Sequence, residues 1–151
     1  MARSTSGRLV ACLALAACAT SAPSKSSRAA TAIRAVLEED TRLGGVRNHA
    51  PESMPLAEAV RVYVRGLDAI DFGGCPSDFT AAFKRHRDAW QESIRYLEEY
   101  EEMRGEIHDL FDEIREVSAD SRMRIESLEK GIWGSWAEVE TAVDRHGGGS
   151  D

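Results

Sequence analysis

Three side chains near the middle of the sequence could do chemistry: the thiol of Cys75, the imidazole of His86 and the indole of Trp90. Cys75 stands between Gly74 and Pro76 at the predicted start of a helix, where the helix dipole can lower the pKa of a thiol and make it nucleophilic. A nucleophilic cysteine needs a base beside it, but His86 lies 11 residues further along the same helix, about 16 Å away. The spacing therefore favours a structural cysteine, packed beneath the Gly-Gly turn that precedes it.

His86 and Trp90 are four residues apart and share one predicted helix face with Phe79 and Phe83. A histidine among aromatic residues is usually buried and bonded to a backbone group or a hydroxyl. The alternative is a small-ligand or metal site inside the protein, with Cys75, His86 and Trp90 as its candidate residues. Both interpretations place this stripe in the interior.

The sequence has no Gly-x-Ser-x-Gly elbow, no phosphate-binding glycine-rich loop, no His-Glu-x-x-His and no Glu-x-x-His. These are the patterns that acyl transfer, phosphate binding and helical metal centres require. A second cysteine near Cys75, as a C-x-x-C redox pair needs, is also absent. We therefore predict no catalytic residue, no metal ligand set and no cofactor.

The N-terminus has the pattern of an export signal. Arg3 and Arg8 give a positive start, residues 9–15 are apolar, and small residues follow. An ordinary cleavage at one of several alanines would leave a plain thiol or none at Cys18. The signal peptide is predicted over residues 1–17.

The run Leu15-Ala16-Ala17-Cys18 resembles the lipobox of bacterial lipoproteins. The resemblance implies that Cys18 carries lipid, that the leader is cut before it, and that the protein is held at a membrane. Ala19 follows the cysteine, and in the enterobacterial sorting pattern such a residue implies the periplasmic face of the outer membrane. This cell-envelope location is an expectation from the resemblance.

Residues 18–28 lack a periodic apolar pattern and are predicted to be a flexible tether with a reach of ~15–20 Å. The following residues have helical apolar periodicity throughout, so residues 29–146 are predicted to be one all-α domain. Residues 147–151 are predicted to be a disordered tail. The expected fold is a small antiparallel bundle of four helices, or of five if the longest one breaks.

The predicted helices cover 29–43, 56–71, 77–118 and 121–146. Gly44-Gly45 is the predicted stop of the first, and the cluster Ser118-Ala119-Asp120-Ser121 is a predicted turn or cap before the last. The third would be ~60 Å long, which raises two alternatives. The segment either breaks near Gly105 into a compact bundle or continues as a projecting helical hairpin. Its apolar face is unbroken through Gly105, and one glycine costs only ~1 kcal/mol in a helix, which favours the hairpin.

The stripe around His86 also resembles a signature of small exported helical bacterial proteins of no assigned activity, C-P-x-D-F-x-x-A-F-x-x-H-x-x-A-W. The matching residues are Cys75, Pro76, Asp78, Phe79, Ala82, Phe83, His86, Ala89 and Trp90, with Ile132, Trp136, Val139 and Ala142 near the C-terminus. The resemblance supports the helical fold and brings no catalytic residue with it.

The net charge of the chain is -7, which excludes the basic surface that a nucleic-acid partner requires. Residues 98–151 hold 6 basic and 16 acidic side chains, which indicates a solvated acidic face or a surface for a basic partner or divalent cations.

The leading hypothesis is a lipid-anchored envelope protein with a non-catalytic binding or structural role and an envelope protein as partner. The alternative is a small-ligand or metal-binding module near His86 and Trp90, and an enzyme is the third. Trp133 is predicted to pack at the edge of the core, while an exposed Trp133 would indicate a docking surface.

Overall fold

The computed structural model describes residues 24–147, which form five α-helices joined by turns and short 3₁₀ segments. They are α1 (Lys25–His49), α2 (Leu56–Asp68), α3 (Ser77–Leu97), α4 (Ile107–Val117) and α5 (Ala119–His146). This part of the chain contains no strand, so the all-α prediction is confirmed. None of its helices combines the length and the apolar character that crossing a bilayer requires. The predicted leader, Cys18, most of the predicted tether and residues 148–151 lie outside the described residues.

The central helix is α3, which packs chiefly on α5 and α2. Asp78 at the start of α3 contacts His146 at the end of α5, whereas Tyr96 near the end of α3 bonds to Ser121 near the start of α5. The two helices are therefore antiparallel. Helix α4 packs mainly on α5, and α1 packs mainly on α2. The predicted helical bundle is confirmed, with five helices over residues 24–147.

The helices share one apolar core, which supplies most of the burial that stabilises the fold. Its large, fully buried members are Ile33, Val36, Leu56, Leu67, Phe79, Phe83, Leu97, Ile107, Leu110, Ile114, Ile125 and Ile132. Each of these lies on an apolar face that helical periodicity predicts. Val117, at the end of α4, is an exception, because 61% of it is exposed.

Helix α1 is longer than predicted at both ends. It begins at Lys25, where the Ser24 hydroxyl accepts a bond from the Ser27 N–H, so the predicted tether is wrong for residues 25–28. The prediction that Gly44-Gly45 stops the helix is also wrong, since α1 continues to His49. The α-helix ends at His49 and a 3₁₀ turn follows over Ala50–Glu52, because Pro51 has no N–H to donate to the Arg47 carbonyl oxygen.

The third predicted segment breaks, so the projecting hairpin is wrong. Helix α3 ends at Leu97 and a short 3₁₀ turn follows over Glu98–Tyr100. Four glutamates, at positions 98, 99, 101 and 102, crowd this end of the helix, where they repel one another and the negative end of the helix dipole. The chain then turns at Gly105, whose N–H donates to the Pro51 carbonyl oxygen at 3.3 Å. The turn lets α4 pack back on α5.

Helix α5 ends at His146, as the sequence predicts, and begins two residues earlier than predicted, at Ala119. The Ser118 hydroxyl accepts a bond from the Ser121 N–H and caps its start, as the polar cluster at 118–121 indicates. Gly147 follows its last turn with φ +65°, the left-handed conformation in which glycine is favoured.

Candidate functional site

His86 lies at the interface of α3 and α5 with only 4% of its surface exposed. Its Nδ1 is 3.2 Å from the Ile132 carbonyl oxygen and 3.1 Å from Ser135 Oγ, both on α5. Its Nε2 accepts a hydrogen bond of 3.2 Å from the Trp90 indole N–H. Because Nε2 is the acceptor and a carbonyl faces Nδ1, the network assigns the proton to Nδ1.

Both nitrogens of His86 are therefore occupied, as expected for a core histidine bonded to a backbone group and a hydroxyl. Burial lowers the pKa of His86 to about 4, an effect opposed by the bond to Ile132 and reinforced by the charge of Arg47. The ring is thus neutral at pH 7. Neither nitrogen can bind a metal ion or take up a proton without breaking a bond of the core.

A second buried polar pair joins α1 to α2. The Tyr63 hydroxyl donates a hydrogen bond of 2.7 Å to Asp40 Oδ1. Both residues are buried, and burial is the main reason that the pKa of the Asp40 carboxyl is raised. Burial, followed by the charge of Asp40, raises the pKa of Tyr63 as well. The second carboxylate oxygen of Asp40, Oδ2, has no hydrogen-bond partner among residues 24–147.

The guanidinium of Arg47 lies against the same aromatic residues. Its central carbon is 4.5 Å from the ring centre of Tyr63 and 4.1 Å from that of Trp90, which is cation–π geometry. Its Nε and Nη2 donate to Asn48 Oδ1 at 3.2 and 2.8 Å. Within the described chain, no carboxylate lies within 4 Å of this guanidinium. Burial therefore lowers the pKa of Arg47, with the charges of nearby groups opposing it.

These side chains line a cavity of about 390 Å³ between α1 and α5, with α2 and α3 as its floor. The floor is aromatic, and the α1 wall carries the carboxylate and the guanidinium. The lining comprises Asp40, Thr41, Gly44, Gly45, Arg47, Asn48, Tyr63, His86, Trp90, Ile132, Trp133 and Trp136. Its volume lies in the lower part of the range of about 300–1,000 Å³ for small-molecule sites.

The α5 wall consists of two indoles. Trp136 is half-buried, its ring lies 5.0 Å from that of His86, and its N–H donates to Glu140 at 3.0 Å. Trp133 is 56% exposed, so its prediction as an edge-packing residue is wrong and the docking alternative gains an observation. Ile132 and Trp136 are four residues apart and share one face of α5, whereas Trp133 is rotated away from that face and lies at the cavity rim.

Cys75 lies away from this cavity, between α2 and α3. Its N–H donates to the Phe72 carbonyl oxygen at 3.0 Å, and its side chain is half-buried against the edge of the core. Burial, and to a smaller extent the charge of Asp71, raises the pKa of its thiol. The expected full burial under the Gly73-Gly74 turn is therefore only partly realised. The structure brings His86 and Trp90 together but leaves Cys75 apart.

Asp40, Arg47 and Tyr63 belong to the site, and sequence reasoning missed all three. Asp40, Gly44 and Arg47 are spaced i, i+4 and i+7, which places them on one face of a continuous helix. That signal was present in the sequence. Gly44-Gly45 also predicts the end of the helix, and a helix that ends there does not include Arg47.

Over residues 24–147, no group of three or more His, Cys, Asp or Glu side chains could hold a metal ion. Comparison with known proteins finds no matching family model, no matching curated protein and no matching solved structure. Functional inference therefore depends on the geometry of the cavity.

Proposed function

We propose that this chain is a lipid-anchored protein of the cell envelope that acts by binding a small molecule in the cavity between α1 and α5. The observation that carries the binding role is a pair of charged groups, Asp40 and Arg47, that line one aromatic cavity without pairing to each other. Buried charges are normally paired, because taking a charge out of water is costly. A bound ligand would supply the missing partners.

The anchoring role is supported by the Leu15-Ala16-Ala17-Cys18 run and the export signal before it. Changing Cys18→Ser should move the protein from the membrane fraction to the soluble envelope fraction, or leave the leader uncleaved. Ser4→Ala, in the same leader but outside the run, is the matched control and should fractionate like wild type. If Cys18→Ser is processed and fractionates like wild type, the anchor is wrong.

A non-catalytic role is supported by the state of the reactive groups. Both nitrogens of His86 are occupied by core bonds. The Cys75 thiol lies apart from the cavity, half-buried and with a raised pKa.

The binding role can be tested without knowing the ligand. The protein is purified natively from its membranes and then denatured, and the released small molecules are compared by mass spectrometry. The comparison uses Gly44→Leu, whose side chain would enter the cavity, and Gly134→Leu, an exposed helical glycine on α5 that does not line it. We expect a compound enriched in wild type and Gly134→Leu and depleted in Gly44→Leu. Equal recovery from all three would contradict the proposal.

The second candidate is docking of an envelope protein, and the exposed indole of Trp133 favours it. Crosslinking in native membranes followed by a pull-down should then recover one dominant partner from wild type. Trp133→Ser should lose that partner, while Met123→Ser, which is also exposed on α5, should keep it. Loss in neither variant would contradict the docking role.

A further inference from the structure

The two charged groups in the cavity differ from other polar groups of the core in having hydrogen-bond capacity left over. Asp40 is 9% exposed, and its Oδ2 has no partner within residues 24–147. No inaccessible side-chain nitrogen or oxygen in this part of the chain lacks a partner. The unpaired Oδ2 must therefore be accessible, and Asp40 lines the cavity.

Arg47 carries the opposite charge and also has hydrogen-bond capacity left over. Its hydrogen bonds to Asn48 use Nε and Nη2, the Tyr63 hydroxyl lies nearby, and none of its nitrogens pairs with a carboxylate of the described chain. Its central carbon lies over the rings of Tyr63 and Trp90, and these contacts with its two bonds to Asn48 restrict the orientation of the guanidinium. A guanidinium held in this way is suited to a carboxylate, which it can bind through two parallel hydrogen bonds.

The two charges lie on one face of α1 and are separated by Gly44. They are more than 4 Å apart, since no ion pair joins them. A side chain at Gly44 would stand between them, and a Cβ there would have Arg47 Nη2 at 3.8 Å as its nearest neighbour. A Cβ on Gly45 would have no neighbour within 4 Å. Packing does not require Gly44, but open space between the two charges does.

From this geometry we infer the class of ligand: a free α-amino acid with an apolar, preferably aromatic, side chain. Its ammonium group would meet Asp40, its carboxylate would meet Arg47, and its side chain would lie against the indoles of α5. The inference rests on the proposed small-ligand function and specifies it.

Ligands with other charges fit less well. An anion would be attracted by Arg47 but repelled by Asp40. A cation would be attracted by Asp40 but repelled by Arg47. A neutral apolar molecule would cover both charges without providing partners, which is unfavourable. A zwitterion with adjacent charges of both signs satisfies both groups, and Trp133, with 56% of its surface exposed, offers a stacking face for an aromatic side chain.

The test is isothermal titration of the full chain with three matched probes. L-phenylalanine carries both charges, N-acetyl-L-phenylalanine lacks the ammonium group, and L-phenylalaninamide lacks the carboxylate. We expect 1:1 binding of phenylalanine and at least about ten-fold weaker binding of each derivative, because each derivative lacks one charge-assisted hydrogen bond.

Variants assign each charge to its partner. Asp40→Asn should remove the preference for phenylalanine over the N-acetyl form, and Arg47→Gln should remove the preference over the amide. Gly44→Leu should abolish binding. Arg85→Gln, on an exposed arginine of α3 that pairs with Glu138 outside the cavity, should bind like wild type. Circular-dichroism melts establish that each variant is folded, and the three probes test the inference on wild type alone.

Equal binding of the three probes, or binding that Gly44→Leu leaves unchanged, would overturn the inference. Binding of only one singly charged derivative, lost in Gly44→Leu, would overturn the amino-acid class and support the small-ligand function. Absence of binding by all three at millimolar concentration would also overturn the class. The small-ligand function would then be decided by the native co-purification experiment, whose outcome does not depend on these probes.

Discussion

Two regions of the bundle bury side chains of different chemistry. Between α4 and α5, the buried side chains are almost entirely apolar, with Leu110, Ile114 and Ile125 fully inaccessible. Around the cavity, by contrast, a carboxylate and an imidazole are buried among aromatic rings beside a half-buried guanidinium. In the first region, the burial of these apolar side chains stabilises the folded state. The second includes groups whose burial is unfavourable unless they are bonded.

The comparison separates structural polar groups from available ones. His86 is polar and buried, but both of its nitrogens are bonded within the core. Asp40 and Arg47 are only partly bonded, and both line the cavity. Polarity in a core is therefore not by itself an indication of function. Hydrogen-bond capacity that remains open toward a cavity is the more specific signal.

The largest expected effect is in the apolar region. Ile114→Ala should lower the free energy of unfolding by about 2–5 kcal/mol, because it removes buried methyl groups and leaves a void. Urea denaturation measures the loss. Val117→Ala, three residues along the same helix and 61% exposed, is the control and should change stability by less than about 0.5 kcal/mol. Ligand binding by folded Ile114→Ala should be unchanged, and a loss of binding would connect the two regions.

The next effect is the pH dependence that His86 causes. Its pKa is about 4 in the folded protein, below the ordinary value of 6.5. The unfolded chain therefore binds more protons between these values, so the stabilisation by neutral His86 is complete above pH 6.5 and is lost as the pH falls toward 4. The expected loss is about 3 kcal/mol.

Urea denaturation of wild type and His86→Gln between pH 7.5 and 4.5 isolates this contribution, because other titrating groups cancel in the difference. The difference in free energy of unfolding between the two proteins should decrease as the pH falls. At pH 7.5, His86→Ala should be destabilised by about 1–3 kcal/mol, since the Ile132 carbonyl and the Trp90 indole lose a partner. A difference in free energy of unfolding between wild type and His86→Gln that stays constant with pH would show that His86 is not held neutral by burial.

A smaller effect of the opposite sign is expected at the cavity mouth. Gly45→Ala should raise the free energy of unfolding by about 0.5–1 kcal/mol, because alanine is the better helix former and its Cβ would meet no atom within 4 Å. Gly66→Ala, in α2, is the matched control. Its Cβ would lie 2.6 Å from Leu43 Cδ2, so Leu43 must move and the gain should be lost. Equal gains in both variants would contradict this account of Gly45.

The smallest expected effect distinguishes Asp40 from His86 most clearly. Asp40→Asn should leave stability at pH 7 unchanged or raise it by up to about 1 kcal/mol. The amide oxygen can still accept the Tyr63 hydrogen bond, and the cost of burying a charge disappears. Thermal melts of Asp40→Asn and His86→Gln at pH 7 provide the measurement. A clear loss of stability would make Asp40 a structural group and weaken its assignment to a ligand.

Much of α3 could be predicted from local sequence. Phe79, Phe83, His86 and Trp90 recur at helical spacing after a proline start, and the structure places all four on one buried face. The sequence also predicts the type of environment that His86 has, a buried ring bonded to a backbone group or a hydroxyl. Its particular partners could not be predicted, because Ile132 and Ser135 lie on another helix, 46 and 49 residues away.

Predictions failed where one residue type has two meanings. Glycines at 44 and 45 can stop a helix or lie within one. The packing of α1 on its neighbours, including Arg47 on Tyr63 and Trp90, favours the continuous helix. Gly105 can sit inside a helix or form a turn, and the bond from its N–H to the Pro51 carbonyl selects the turn. Both decisions depend on contacts between distant parts of the chain.

The sequence by itself determined the all-helical class, the inward faces of the helices and the cap at Ser118, because these depend on residue types only a few positions apart. The tertiary structure alone decided which glycines stay helical and that Asp40, Arg47 and Trp90 line one cavity. The physical reason is that an open hydrogen-bonding group can be recognised only after every group that could have satisfied it has been placed.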